Sequence, residues 1–150
     1  MRTVPHPRCP VRRIAILAST FHRPLARALV RGATRVLHDA GVAPKAITVY
    51  WLPGAFELPV AAARVLRRRQ TPDAVIALGA LIQGDTPQYE VLAHAVAQGL
   101  TQLAVTSAIP VTFGVIIAKS LAQARARAGG SMGNRGAEAA HAALAVLQVP

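Results

Sequence analysis

The stretch Ala74-Val75-Ile76-Ala77-Leu78-Gly79-Ala80-Leu81-Ile82-Gln83-Gly84-Asp85-Thr86-Pro87-Gln88 decides the fold. Its first five residues are apolar without alternation, as in a strand covered on both faces. Residues 79–88 read as a Gly-rich loop, and Pro87 suits the first turn of a helix. Strand, loop and helix in that order make half of a βαβ unit. Similar apolar runs occur at 13–18, 47–51 and 111–117, each followed by a longer segment of helical period or a turn into one. Such alternation predicts a three-layer α/β domain built on a parallel sheet.

The helices are legible from spacing and punctuation. After the first strand, Pro24 marks a start, Leu25, Leu29, Val36, Leu37 and Ala40 share one face, and Gly41 is placed to end the helix. A second helix is expected from Pro59 through Val65 and Leu66 to the arginine run Arg67-Arg68-Arg69. A third begins at Pro87 and is expected to turn Val91, Leu92, Ala95, Val96, Gly99, Leu100 and Leu103 to the core. Gly99 costs this helix about 1 kcal/mol relative to Ala, which points to close packing there. Two helices, 121–128 and 137–147, follow the last strand, joined by the Gly-rich stretch 129–136. Right-handed crossovers then favour a doubly wound, four-stranded, flavodoxin-like sheet with the first strand inside it.

Bulk composition narrows the function. A chain of 150 residues, 53% apolar, can bury one core without metal or disulfide. Its apolar runs are too short for a membrane helix. Residues 1–12 are basic and carry Pro5, Pro7 and Pro10, which excludes a secretory signal and predicts a flexible arm ahead of a domain over 13–150 in a cytoplasmic protein. Cys9, the one cysteine, is expected to be an incidental reduced thiol. The net charge of +11 raises the question of nucleic acid. However, the basic residues are dispersed, and three Phe, two Tyr and one Trp leave little for bases to stack on. No specific nucleic-acid partner and no membrane are expected.

In doubly wound sheets, ligands bind beyond the carboxyl ends of the strands, and here every unusual loop follows a strand: 19–23, 52–57, 79–88 and 118–120. In the second, Glu57 at a helix start serves either as a cap-region carboxylate or as an acceptor for a ligand hydroxyl. The third opens into a helix amino end, which attracts phosphate. Against this, Asp85 opposes an anion unless it points away, and Asp85 or Thr86 suits a simple helix cap. His38, His94 and His141 fall on helices away from these loops. Without Cys or Asp partners at ligand spacing, no metal site is expected.

Pro53-Gly54-Ala55-Phe56-Glu57-Leu58-Pro59 and Gly79 through Pro87 closely resemble the two signature loops of the lumazine synthase family. Phe113-Gly114-Val115, Arg127-Ala128-Gly129 and Gly133-Asn134-Arg135-Gly136-Ala137-Glu138-Ala139-Ala140 match the same family in order and spacing, so the likeness covers roughly residues 14–147. The resemblance implies condensation of 5-amino-6-ribitylaminouracil with 3,4-dihydroxy-2-butanone 4-phosphate, a step of riboflavin biosynthesis that needs neither metal nor organic cofactor. It also assigns roles. Phe21 stacks on the pyrimidine, Ala55, Phe56 and Glu57 hold the ribityl chain, and Ala80, Leu81 and Ile82 line the ring. Gly84, Asp85 and Thr86, with Arg127, take the phosphate; Arg135 and Glu138 belong to the same motif set. Phe113 and Arg127 come from a neighbouring subunit. Judged without the motif, Phe113 reads as core and Arg127 as a solvated helix residue.

The pattern breaks at one catalytic position. Where the family usually has a histidine that serves as proton shuttle, this chain has Gln88, which does not titrate. Nearby, Gln83 replaces a usual Arg, His22 a usual Asn, and Arg135 a usual Lys. His22, beside Phe21, is a candidate to return an imidazole to the pocket. A lost shuttle costs about 10² to 10⁴ in rate, so slow catalysis can survive. The alternatives are a shell or scaffold protein without turnover and a flavin- or lumazine-binding module. The resemblance further implies a homopentamer, which in some members closes into a sixty-subunit icosahedral shell, and an association with riboflavin synthase. The short stretch 129–136 suits a shell, whereas the prolines of the arm hinder pairing with a neighbour's sheet.

Overall fold

The computed structural model describes residues 13–150, so the arm expected over 1–12 lies outside the described residues. Strands β1 (Ile14–Ser19), β2 (Ile47–Leu52), β3 (Ala74–Ile82) and β4 (Val111–Ala118) form a parallel sheet in the order β2-β1-β3-β4. β1 is inside it, with Ile16 opposite Val49 on one side and Ile76 on the other. All of β1 is buried, as the unbroken apolar run requires, while β2 at the edge is only half-buried.

Alternate residues of the strands feed two cores. Ile14, Ile16, Ile76, Leu78 and Ile116 pack under α1 (Arg23–Asp39) and α5 (Arg135–Val146). Leu17, Val75, Ala77 and Val115 pack under α2 (Leu58–Leu66) and α3 (Gln88–Ser107). α1 buries Leu25, Leu29, Ala33 and Leu37, one stripe at four-residue spacing. Beyond it Gly41 takes φ +86°, the left-handed geometry that ends a helix most cheaply on glycine. No helix among the described residues is long and apolar enough to cross a membrane.

Several expectations need correction. β3 runs four residues past the strand expected at 74–78, because its pairing with β4 continues through Ile82 opposite Ala118. Residues 79–82 are therefore strand, and the free loop shrinks to the next few residues. In α3, Tyr89, Ala93, Val96 and Leu100 are buried, while Val91 and Ala95 face outward. The buried stripe of a helix is narrower than its apolar content, and reading every apolar residue inward overfills it. Ala40 caps α1 at the surface instead of joining its core face. Phe113, read as core on its own, is 39% exposed, since β4 is an edge strand left uncovered there. After α4 (Leu121–Arg127), the stretch read as a plain Gly-rich connector contains two short antiparallel strands, β5 (Ala128–Gly130) and β6 (Gly133–Asn134). α5 then starts two residues before the expected Ala137.

Close approaches hold the layers together. A Cβ on Gly99 would meet Pro59 of α2 at 3.0 Å, which accounts for glycine inside α3. The amino end of α5 is clamped to α1: Asn134 Oδ1 accepts from the backbone of Gly136 and Ala137, and its Nδ2 donates to the Ala28 carbonyl at 3.0 Å. Gly136 itself abuts α1, where a Cβ would lie 2.1 Å from the Leu29 carbonyl oxygen. Because the obstacle is backbone, Gly136→Ala must push the two helices apart. It is expected to cost about 3 kcal/mol, which lowers Tm by roughly 6–12 °C at fixed protein concentration. Gly84→Ala, with nothing within 4 Å of the new methyl, should leave Tm unchanged in the same calorimetric scan.

Candidate functional site

Because the strands are parallel, the turns leaving β1, β2 and β3 emerge at the same end of the sheet. Hydrogen bonds fix their relative positions. Thr20, just past β1, donates its backbone N–H at 2.7 Å and its hydroxyl at 3.0 Å to the Leu52 carbonyl at the end of β2. Past β3, the Gln83 N–H donates to the Ala118 carbonyl at 2.9 Å. Between these turns opens a cleft of about 370 Å³.

The first turn brings Phe21 and His22 to the cleft, the second Ala55, Phe56 and Glu57, the third Gly84 and Thr86, and the start of α3 Gln88. Ala80, Leu81 and Ile82 at the end of β3 form its floor. Phe21 is 77% and Phe56 60% exposed, so two phenyl rings stand open on the rim of one cavity. An isolated exposed phenyl is ordinary, but two flanking a cleft mark a place where an apolar ligand surface is covered. Phe21 also meets the His22 ring edge-on, with centroids 5.1 Å apart.

Five residues singled out from the sequence lie elsewhere. Asp85 is exposed and absent from the lining although Gly84 and Thr86 on either side belong to it. Phe113 sits opposite Ala77, toward the far end of the sheet. Arg127 ends α4, with its guanidinium donating to the Gln123 carbonyl at 3.1 Å. Arg135 and Glu138 pair with each other in the first turn of α5. Conversely, Gly54, Tyr89 and Leu92 line the cleft and were not singled out as site residues. Leu92 was legible: one turn beyond Gln88, it shares that residue's helix face.

Charge is sparse in this cleft. Among the described residues that line it, Glu57 is the carboxylate and none is Arg or Lys. Glu57 stands at the N-cap position of α2, as the cap-region reading expects, without a side-chain capping bond, and no side chain caps α3, which leaves the capping alternative for Asp85 and Thr86 without a bond to support it. Burial lowers the His22 pKa below its ordinary 6.5, so its ring is neutral at pH 7. Since unfolding restores the ordinary value, the unfolded chain gains protons as pH falls through 6.5, and this group then favours unfolding. The Tyr89 hydroxyl donates to Glu90 Oε1 at 2.9 Å, and that bond, with burial, raises its pKa.

Comparison with known proteins places these features in context. The family model described as 6,7-dimethyl-8-ribityllumazine synthase matches residues 12–150. The chain is similar to the 6,7-dimethyl-8-ribityllumazine synthase of Gemmatimonas aurantiaca, with 46% identity over 143 residues, 95% of this chain and 87% of that one. The protein of the same name from Kineococcus radiotolerans is 47% identical over 134 residues, 88% of this chain and 81% of its own length. That of Thermus thermophilus is 39% identical over 137 residues, 91% and 87% of the two chains.

Gly54 has φ −145°, extended backbone open to any residue, so its role is to leave room. A Cβ there would lie 2.8 Å from Glu57 Oε2. Gly54→Ala is therefore expected to displace the carboxylate and weaken about tenfold the binding of any ligand whose hydroxyl donates to it, such as a ribityl-bearing heterocycle, the loss of one charge-assisted hydrogen bond. Riboflavin fluorescence titration reads this directly, and an unchanged affinity would show that Glu57 does not hold the ribityl chain.

Proposed function

The chain belongs to the 6,7-dimethyl-8-ribityllumazine synthase family, transferases of riboflavin biosynthesis, and from that premise we infer how its cleft joins the two substrates. The observation that carries the reading is that Phe21, Glu57 and Thr86, from three separate strand-end turns, open onto one cavity. In it, the pyrimidine of 5-amino-6-ribitylaminouracil stacks on Phe21. Its ribityl hydroxyls run along Ala55 and Phe56 to the carboxylate of Glu57. The β3 floor of Ala80, Leu81 and Ile82 supports the ring. The phosphate of 3,4-dihydroxy-2-butanone 4-phosphate takes the turn at Gly84 and Thr86, close to the amino end of α3, where backbone N–H groups favour an anion.

Two reactants held this way need little else from the protein. Placing an amine and a carbonyl in a near-attack pose supplies roughly 7 to 11 kcal/mol of barrier reduction. Gln88, at the first turn of α3 and facing the cleft, orients a reactant by hydrogen bonds without moving a proton. The product 6,7-dimethyl-8-ribityllumazine forms with loss of phosphate and water.

A phosphate needs a cation, and among the described residues none lines the wall of this cleft. We assign that cation to Arg127 of a second copy, together with Phe113, which lies on the edge strand of the sheet and outside the lining of its own chain's cleft. Arg135 and its ionic partner Glu138 accompany Arg127 on that surface in this reading. Assembly is thus a condition of the site, and a pentamer, alone or as a vertex of a sixty-subunit shell, is the form proposed. The domain over 13–150 acts as the unit of assembly in the cytoplasm, and riboflavin synthase, which consumes the product, is the proposed associated enzyme.

Purified protein mixed with both substrates should accelerate the rise of lumazine absorbance over the uncatalysed reaction. Gln88→His, which puts a titrating side chain at the first turn of α3, should raise the rate further where the rest of the site is intact. Absence of acceleration with tight product binding would turn the reading toward a binding module, and absence of both toward a scaffold. Light scattering should give the mass of five or sixty chains of 15.7 kDa. A fully active monomer would refute the shared site.

A further inference from the structure

The condensation requires protons to leave nitrogen and reach oxygen, and the residue placed to carry them is not Gln88. We infer that His22 is the acid–base group of this cleft. The inference rests on the synthase reading above and deepens it. Of the described side chains lining the cavity, His22, Glu57 and Tyr89 titrate, and among these an imidazole alone changes charge near neutral pH without a strongly shifted pKa.

Its surroundings leave the ring available. The His22 backbone carbonyl accepts from the Ala26 N–H at 3.0 Å, which anchors the residue at the start of α1, yet its side chain makes no capping bond. Among the described residues no hydrogen bond holds either ring nitrogen. The edge-on contact with Phe21 fixes its position beside the ring proposed to stack on the pyrimidine. The groups around it are few. Glu57 comes from the turn before α2, Tyr89 with its partner Glu90 from α3, and Arg23 from the first turn of its own helix. The amino end of α1 and Arg23 both oppose an imidazolium, while Glu57 favours one. Burial is what lowers the pKa of the ring, and it leaves the resting imidazole a neutral base.

The step balances on that ring. As the substrate amine adds to the ketone carbonyl, the C–N bond forms, the carbonyl π pair moves to oxygen, and imidazole takes one N–H proton and hands it to that oxygen. It then takes the second proton from the same nitrogen and delivers it to the hydroxyl as the C–O bond breaks and the C=N bond forms. Two N–H hydrogens leave as water, and the ring ends neutral as it began.

The test is the pH dependence of turnover in the wild-type chain, His22→Asn, and His22→Asn with Gln88→His. Asparagine is a favoured residue at a helix start, so the fold should persist. The wild type should show one acid limb with a midpoint below pH 6.5. His22→Asn should lose about 10²-fold in kcat with KM little changed, and lose the limb. An imidazole installed from the opposite wall in the double variant should restore both. Turnover and profile unchanged in His22→Asn would overturn the inference and leave the synthase reading intact. No acceleration by the wild type would overturn both. Should the variant fail to fold, the wild-type profile decides by itself, because a rate with no acid limb anywhere below pH 6.5 leaves no role for a neutral imidazole.

Discussion

Parallel pairing of β1 with both β2 and β3 is the constraint on which the rest depends. An antiparallel neighbour would send its exit turn to the opposite end of the sheet. With three parallel strands, the turns carrying Phe21, Glu57 and Thr86 leave on the same side. The register then sets their heights. Ser19 at the end of β1 stands opposite Leu52, and the Thr20 bonds to Leu52 lock the first two turns together. Two positions without side chains make the fit possible: a Cβ on Gly79 would press on Ser19 at 3.0 Å, and one on Gly114 would run into Leu78 at 2.5 Å. Small residues at the junctions are thus part of how the site is shaped, although they touch no ligand.

The fold was largely legible because buried parallel strands leave an unbroken apolar signature. The runs around Ile16 and Ile76 announce themselves, and the helices marked by Pro24, Pro59 and Pro87 follow in order. What escaped depended on tertiary partners. Whether 79–82 is loop or strand is decided by pairing with 115–118 of β4, and local sequence carries no record of that pairing. Val91 and Ala95 look no different from Val96 on paper, since the side of a helix that is covered depends on where the sheet lies. Phe113 is the instructive case: an aromatic in an apolar strand reads as core, but an edge strand has nothing to cover it.

The candidate site was legible for a different reason. Its turns combine Gly, Pro, aromatic and acidic residues that no helix or strand needs, and their clustering after strands pointed to one end of the sheet. Gly54 and Tyr89 were not recognised, because their part in the cleft comes from geometry: one leaves space for Glu57, and the other is carried inward by the first turn of α3. The proposed sharing of the site between copies accounts for the motif residues that stand apart. A cleft with a carboxylate and no cation is poorly suited to a phosphate ester, whereas Arg127 and Phe113 are displayed on surfaces that a second copy can bring to it.

That division of the site between copies is the central claim, and subunit complementation addresses it most directly. Phe21→Ala damages the cleft side and Arg127→Ala the donated side, so each variant alone assembles only defective sites. Chains of the two variants, unfolded together and reassembled at equal amounts, should recover about a quarter of wild-type activity, the share of interfaces that unite an intact cleft with an intact arginine. Recovery absent from a mixture that has demonstrably exchanged subunits would show that each chain builds its site alone, and the account would be wrong.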